Sequence, residues 1–269
     1  MLPTQQPPGP ADLALEAVRA CLLAKPNLIG IVGKGLRQSF DEVIDGARTG
    51  RYRIEQLEKT EKTYIGTKVE IVLRNGLELE RGKVLDNLIG GYEVDTKFSL
   101  TGEWMIPREA IGQICILVQG SDNAGTFSIG LARATDELLT PGSNQDGKKS
   151  VSAKGRTRIT WLLRDQPLPR NFLLDLDDAT REEILSQSSG MKRVGALFKN
   201  VTGQIIPRYA IEQLGRQKDP LRRARQMKET LAAEGFQILC ATYEVDRGEF
   251  RRHGFTDFRE DDWLSIPLG

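Results

Sequence analysis

Residues 83–97 read KVLDNLIGGYEVDTK, and this stretch decides what the first half of the chain builds. Branched and aromatic residues flank a Gly90-Gly91 pair. Two consecutive glycines accept positive φ at both central positions of a two-residue hairpin, so the stretch predicts strand, turn, strand. With Gly90-Gly91 as the turn, Ile89 faces Tyr92 and Asp86 falls opposite Asp95. Directly opposed side chains stand about 4.5–5.5 Å apart at Cβ, where like charges repel. A hard divalent cation such as Mg²⁺, which takes oxygen ligands, gives two carboxylates a reason to face each other. Strand alternation puts Lys97 on the same face as Asp95. Two acids and one amine then converge, a group suited to hydrolysis of a phosphodiester.

The bare pattern Asp-x-Lys carries little weight, because Asp146-Gly147-Lys148 repeats it inside a polar loop. Context separates the first copy: strand-forming neighbours, a Gly-Gly turn and a second acid in register. The competing interpretation is a surface hairpin with scattered charges.

Working outward, the chain has 269 residues, 28% of them charged and 39% hydrophobic, which suits a packed core and one or two domains. The formal net charge is only +1, so any nucleic-acid surface must be local. No apolar run approaches the roughly 18 residues that span a bilayer. The opening MLPTQQPPGP lacks the basic and apolar regions of a signal peptide and reads as a disordered Pro-rich arm, residues 1–10. Cys21, Cys115 and Cys240 are odd in number and far apart, which predicts buried free thiols in a reducing cytoplasm. The single histidine, His253, lies in a basic RRHGF loop. That excludes the Ser-His-Asp triad, histidine-based zinc sites and His-Asn-His nucleases. Val43-Ile44-Asp45-Gly46-Ala47-Arg48 is similar to the K-x-D-G-x-R of nucleotidyltransferases such as DNA ligases, but valine holds the place of the nucleophilic lysine. Ligase activity is thereby excluded, and Asp45-Gly46 reads as a helix end with Arg48 near a phosphate.

Apolar spacing predicts helices over 11–25 and 36–47, and a third from about Ile54. The third is ambiguous in its later part, because Val69, Ile71 and Leu73 also alternate as in a strand. A short helix after Pro107 leads into a buried strand at 113–118, with further strands at 126–134 and 156–163 and a loop at 141–155. The order predicts an α/β (α+β) domain with a central mixed sheet over 11–164. DQPLPR supplies a linker at 165–171.

Beyond the linker, 172–269 reads as a mainly α domain. Helices start at Asp178, after Ser188-Ser189 and at Pro207. Asp219-Pro220 opens another, an N-cap followed by proline at the first helical position, running to Glu234 with Gly235 as its stop. An apolar strand at 236–241 and a hairpin follow, the order of a winged helix-turn-helix. From Gly190 to Lys228 there are ten Lys and Arg against Glu212 and Asp219, a local charge of +8. Arg222, Arg223, Arg225 and Gln226 fall outward on the 219–234 helix, with Lys228 close by. Arg and Gln pair bidentately with guanine and adenine edges, so this helix is the candidate DNA-binding element. A solvated basic helix is the alternative.

Longer runs are more specific. ARTGR (47–51), KTEKTYIGTKVEI (59–71), the spaced Asp86 and Asp95-Thr96-Lys97, WMIPREAIGQIC (104–115) and RVGALF (193–198) together resemble the NaeI family of type II restriction endonucleases. The resemblance implies an N-terminal PD-(D/E)xK endonuclease domain joined to a helix-turn-helix domain of the catabolite-activator type. It implies a homodimer that cuts double-stranded DNA with Mg²⁺, needs no nucleotide cofactor, and is activated by a second DNA copy on the C-terminal domain. By the resemblance, Glu70, Asp86, Asp95 and Lys97 match the catalytic positions, with Glu70 as a third carboxylate at the metal. Arg108 and Lys68 are candidates for phosphate contacts. The rivals are a DNA-nicking repair endonuclease and a winged-helix regulator with an inactive nuclease domain.

Overall fold

The computed structural model describes residues 12–216 and 219–268, so the expected arm at 1–10 lies outside the described residues. Helices α1 (Leu13–Leu23) and α2 (Leu28–Ile44) come first, then the short α3 (Gly46–Thr49) and α4 (Lys59–Gly76). Strands follow: β1 (Glu80–Arg81), β2 (Asn87–Ile89), β3 (Tyr92–Ser99), β4 (Met105–Ile106), β5 (Ile114–Ser121), β6 (Thr126–Arg133), β7 (Lys149–Ser150) and β8 (Thr160–Pro167). The rest of the chain forms α5 (Phe172–Asp175), α6 (Asp178–Leu185), α7 (Gly190–Asn200), β9 (Ile205–Ile206), α8 (Arg208–Gly215), α9 (Pro220–Gln226), α10 (Lys228–Ala233), β10 (Phe236–Cys240), α11 (Glu244–Arg252) and β11 (Trp263–Pro267). Two compact units result. One comprises the chain up to Val43 with Glu58–Pro169; the other comprises Ile44–Leu57 with Arg170 onward.

The first unit is a mixed α/β structure around a six-stranded sheet of order β1-β2-β3-β5-β6-β8. Only β3 and β5 run parallel; the other neighbours are antiparallel. The central strand β5 buries Ile114, Cys115, Ile116, Leu117 and Val118 in succession, as a strand covered on both faces must. Each large apolar side chain so buried contributes about 1.5–3 kcal/mol over its exposed state. The β2–β3 turn is the one the glycines predict: Gly90 and Gly91 have φ of 58° and 84°. Ile89 pairs with Tyr92, Leu88 with Glu93 and Asn87 with Val94.

The ambiguous run at 59–73 is helical. Glu58 and Glu61 form a reciprocal capping box at its start, and Ile65, Val69 and Leu73 are buried at a spacing of four residues. Ile71 is exposed, so the strand-like alternation is incidental. The second helix starts at Leu28, earlier than position 36. The strand expected over 156–163 begins only at Thr160, after a 3₁₀ turn at Gly155–Arg158, and runs on to Pro167 into the expected linker. Cys115 and Cys240 are buried, but Cys21 is exposed on α1, correcting the expectation of three buried thiols. Among the described residues no helix is long and apolar enough to cross a membrane.

In the second unit, α6, α7 and α9 start where their caps stand, and α8 follows Pro207. Asp177, Ser189 and Asp219 accept from the N–H groups of Thr180, Lys192 and Arg222, and Pro220 opens α9. Leu197, Phe198, Ile206, Ile211, Leu214 and Trp263 are among the buried core residues. A three-stranded sheet of order β10-β11-β9 closes it. Two expectations need correction. The helix expected over 219–234 breaks at Met227, whose side chain lies over Gly195 where a Cβ would come within 2.9 Å of it. The strand at 236–240 does not turn back in a simple hairpin, because α11 is inserted before β11. His253 follows the end of α11 and is exposed. The segment Ile44–Leu57, read from the sequence as part of 11–164, packs in this unit. Gln213 donates to the Arg51 carbonyl at 2.8 Å, and Asn171 donates to the Tyr52 carbonyl at 2.8 Å.

Candidate active site

Three elements deliver four charged side chains to one point of the first unit. Strand β3 carries Asp95 and Lys97 two residues apart on one face. The hairpin brings Asp86 to the position opposite Asp95, one residue before β2. Glu70 reaches in from α4, which packs on β3. The Lys97 ammonium lies 3.0 Å from Asp95 Oδ1, 3.7 Å from Glu70 Oε1 and 3.8 Å from Asp86 Oδ2. It also donates to the Thr96 carbonyl at 3.1 Å.

The acids are held differently. Asp86 Oδ2 accepts the backbone N–H of Thr96 at 2.8 Å. Its own carbonyl accepts from Arg74 of α4 at 3.3 Å and from the Gly82 N–H at 3.3 Å. Asp95 is buried, and its Oδ2 has no hydrogen-bond partner. A buried carboxylate oxygen left unpaired is costly, which marks it as an acceptor in wait of a donor or a cation.

Burial governs the protonation of this group. It pushes Glu70 up to about 7 against the pull of Lys97, with Asp86 and Asp95 adding to the rise. Burial likewise raises Asp95 to about 6, opposed by Lys97. Burial alone would lower Lys97, but Asp95, Glu70 and Asp86 together keep it raised and protonated. The neighbouring Cys115, paired with Asp95 across the parallel ladder, is pushed up to about 12 by burial and then by Asp95, so it stays a neutral thiol. Oxygen donors are the group's entire ligand chemistry, the set a hard divalent cation takes. Among the described residues, no three acid, cysteine or histidine side chains close a coordination shell by themselves. The carboxylates ring the ammonium instead.

The remaining candidates lie elsewhere. Lys68 pairs with Glu42 at 2.5 Å. Arg108 is exposed and packs over Gly147, in the loop that carries the second Asp-x-Lys. On α9, Arg222, Arg223 and Gln226 are exposed and Arg225 is half-buried. Lys228 is tied to Asp246 of α11 at 2.6 Å, and Asp246 also accepts the Cys240 N–H at 2.7 Å.

Sequence reasoning missed two supports of the site, Arg74 and Glu93. Glu93 accepts the N–H groups of Lys83, Val84 and Leu85 at 2.8, 3.3 and 2.9 Å, which pins the loop that delivers Asp86. Its position one residue from the Gly-Gly turn's first cross-strand pair was the available signal, but the three donors belong to an irregular loop.

Comparison with known proteins agrees with the geometry. The family model described as restriction endonuclease NaeI matches residues 24–266. The type II restriction enzyme NaeI of Lentzea aerocolonigenes is 36% identical over 239 residues, covering 85% of this chain and 75% of that protein. The match spans both compact units and all four converging residues, and the chain therefore belongs to the NaeI restriction endonuclease family: it is a type II restriction enzyme, a site-specific deoxyribonuclease.

Proposed function

We propose that the enzyme hydrolyses DNA phosphodiesters at the ring of Glu70, Asp86 and Asp95 around Lys97, with Mg²⁺ as cofactor. The convergence of three carboxylates within 3.0–3.8 Å of one ammonium carries the proposal. The orphaned, buried Asp95 Oδ2 fits the cofactor, since a hard cation satisfies it as no neighbouring donor does. Asp86, Asp95 and Glu70 are the residues that would hold the ion. When bound, Mg²⁺ supplies an acidified water and neutralises charge on the phosphate. Lys97 stays protonated and lends its positive charge to the phosphoryl oxygens or orients the attacking water. The Thr96 N–H fixes the Asp86 carboxylate, and Glu70, with its pKa near 7, is poised to hold or release a proton at its carboxylate near neutral pH.

The second unit serves DNA binding as a winged helix-turn-helix. The order α7, β9, α8, α9–α10, β10, α11, β11, with α11 interrupting the ribbon, and the sheet order β9-β11-β10 support this. Helix α9 then presents Arg222, Arg223 and Gln226 to DNA. From the family resemblance, the enzyme works as a homodimer, and a second DNA copy on this unit raises cleavage at the first; free cysteines fit a reducing cytoplasm. Digestion of a sequenced phage genome with and without Mg²⁺, with mapping of the ends, tests the activity. Discrete ends that vanish with chelator are expected, and cleavage persisting in excess chelator overturns the metal assignment.

A further inference from the structure

The face of the sheet that carries Lys97 is buried at Leu117 and Gly130 and reopens at its far end in a cleft that the catalytic group does not use. Lys97 pairs with Leu117, Leu117 with Gly130, and Gly130 with Trp161, so all four positions look to one face. Cys115, Leu117, Ala132 and Ile159 form one buried cluster with Trp104, and Trp161 packs against it, which confirms the shared face. Three strand spacings separate Trp161 from Lys97, roughly 14 Å at about 4.8 Å each. Along one DNA strand that is about four nucleotides at a rise of about 3.4 Å.

The cleft has a volume of about 530 Å³. Its floor is aromatic: the Trp104 and Trp161 rings are 6.4 Å apart, and the Trp104 indole N–H is spent on the Val118 carbonyl at 2.9 Å. Its walls offer Gln119, Arg156, Arg164 and Asp165. The Arg164 guanidinium stands 5.7 Å from the Trp161 ring centroid. Two register shifts in the β6–β8 ladder, between Phe127 and Ile129 and between Ile129 and Gly130, flank this stretch of β8. Such bulges re-aim side chains beside active sites. The segment from Lys148 to Arg164 holds six Lys and Arg and no acid, a local charge of +6. Lys149 is paired with Asp136, but Lys154, Arg156 and Arg158 make no ion pair among the described residues. Lys154, Arg156 and Arg158 thus form a basic rim free of ion pairs, a footprint for phosphates, whereas Arg164 lies 3.7 Å from Asp165 at the next position. An Arg- and Gln-lined recess beyond it offers the groups that read guanine and adenine edges.

We propose that this cleft is where the catalytic unit itself grips and reads the DNA it cuts. Arg156 and Arg158 hold backbone phosphates, and Gln119 and Arg164 are specificity-determining residues for base pairs a few steps from the cut. The placement relative to the cut rests on Lys97 marking the cleaved phosphate. The test uses the full chain carrying Asp95→Ala and measures affinity without cleavage, for a duplex bearing the site mapped from digestion ends and for duplexes with each base pair changed. Arg156→Ala with Arg158→Ala is expected to reduce the slope of log K against log salt by roughly 1.8, at about 0.9 for each phosphate no longer neutralised. Gln119→Ala and Arg164→Ala are expected to cut the ratio of cognate to altered-site affinity at least tenfold at one base pair, with melting temperature unchanged. An unchanged slope in the double variant, or undiminished discrimination in both single variants, overturns the proposal. Cleavage by a Lys97→Ala enzyme instead defeats the assignment of the catalytic group, and these affinities still decide the role of the cleft on their own.

Discussion

The backbone N–H of Thr96 donates to the Asp86 carboxylate at 2.8 Å across the β2–β3 hairpin, so one acid of the proposed catalytic group is fixed by the neighbour of another. Asp95 has no such partner for its Oδ2 and is buried. Asp86 is therefore preorganised by the fold, whereas one oxygen of Asp95 is left without a partner.

Asp95→Ala is expected to leave cleavage below about a hundredth of wild type, since loss of metal-activated water removes several kcal/mol of transition-state stabilisation. Specific DNA binding in Ca²⁺ or without metal should persist. Plasmid cleavage alongside a binding titration checks both, and cleavage above that level would falsify the role of Asp95.

Lys97→Ala is expected to abolish the chemical step while Mg²⁺ still binds. A protonated amine has no lone pair to offer a metal. Its removal leaves the acids free to close on the ion. Calorimetry that registers no Mg²⁺ binding by a folded variant would contradict this.

The raised carboxylates predict a pH dependence. Glu70 sits at about 7 in the fold against an ordinary 4.5, and Asp95 at about 6 against 3.8. In these windows the folded state keeps a proton that the unfolded chain has released, so stability without metal falls as pH rises through them. Glu70→Gln removes one such group. The melting temperature of wild type should drop relative to Glu70→Gln between about pH 4.5 and 7, and Mg²⁺ should stabilise wild type more at pH 8 than at pH 5. A gap that opens in the opposite direction shows that burial does not govern Glu70.

Glu93→Ala releases the three N–H groups that hold residues 83–85 and slackens the path to Asp86. Misplacement of a catalytic group by about 1 Å can reduce rate on the order of a hundredfold. The expected result is a tenfold or greater fall in kcat with KM for DNA unchanged. Equal loss in binding of DNA would mean that Glu93 supports the DNA surface rather than the acid.

On α9, replacement of Arg222, Arg223 and Arg225 together by Ala should weaken DNA binding and lower the salt slope by about 0.9 for each phosphate released from the helix. Lys228→Ala should instead lower the melting temperature, because Lys228 ties α10 to Asp246. A short cognate duplex added in trans should stimulate cleavage of one-site plasmids by wild type and not by the triple variant. Stimulation that is equal in both leaves α9 a solvated face.

Several features were legible because they are local. The Gly90-Gly91 turn sets a register, and a register sets which residues oppose each other, so the facing of Asp86 and Asp95 follows from spacing alone. Caps at Asp177, Ser189 and Asp219 mark helix starts for the same reason: the capping oxygen and its N–H partners are three residues apart. Glu70 was reachable only through family resemblance. On its own helix it is one polar residue among many, and its burial comes from a strand more than twenty residues later.

The sequence by itself determined the hairpin, the Asp95-Lys97 face and the family, since each depends on near neighbours or on long runs of identity. Only the tertiary structure decided that Ile44–Leu57 belongs with the second unit, that the basic helix breaks at Met227, that α11 interrupts the ribbon, and that Trp161 shares a sheet face with Lys97. Those outcomes depend on which distant surfaces pack together. Side-chain burial and strand order are properties of the assembled core, and no periodicity within one segment encodes them.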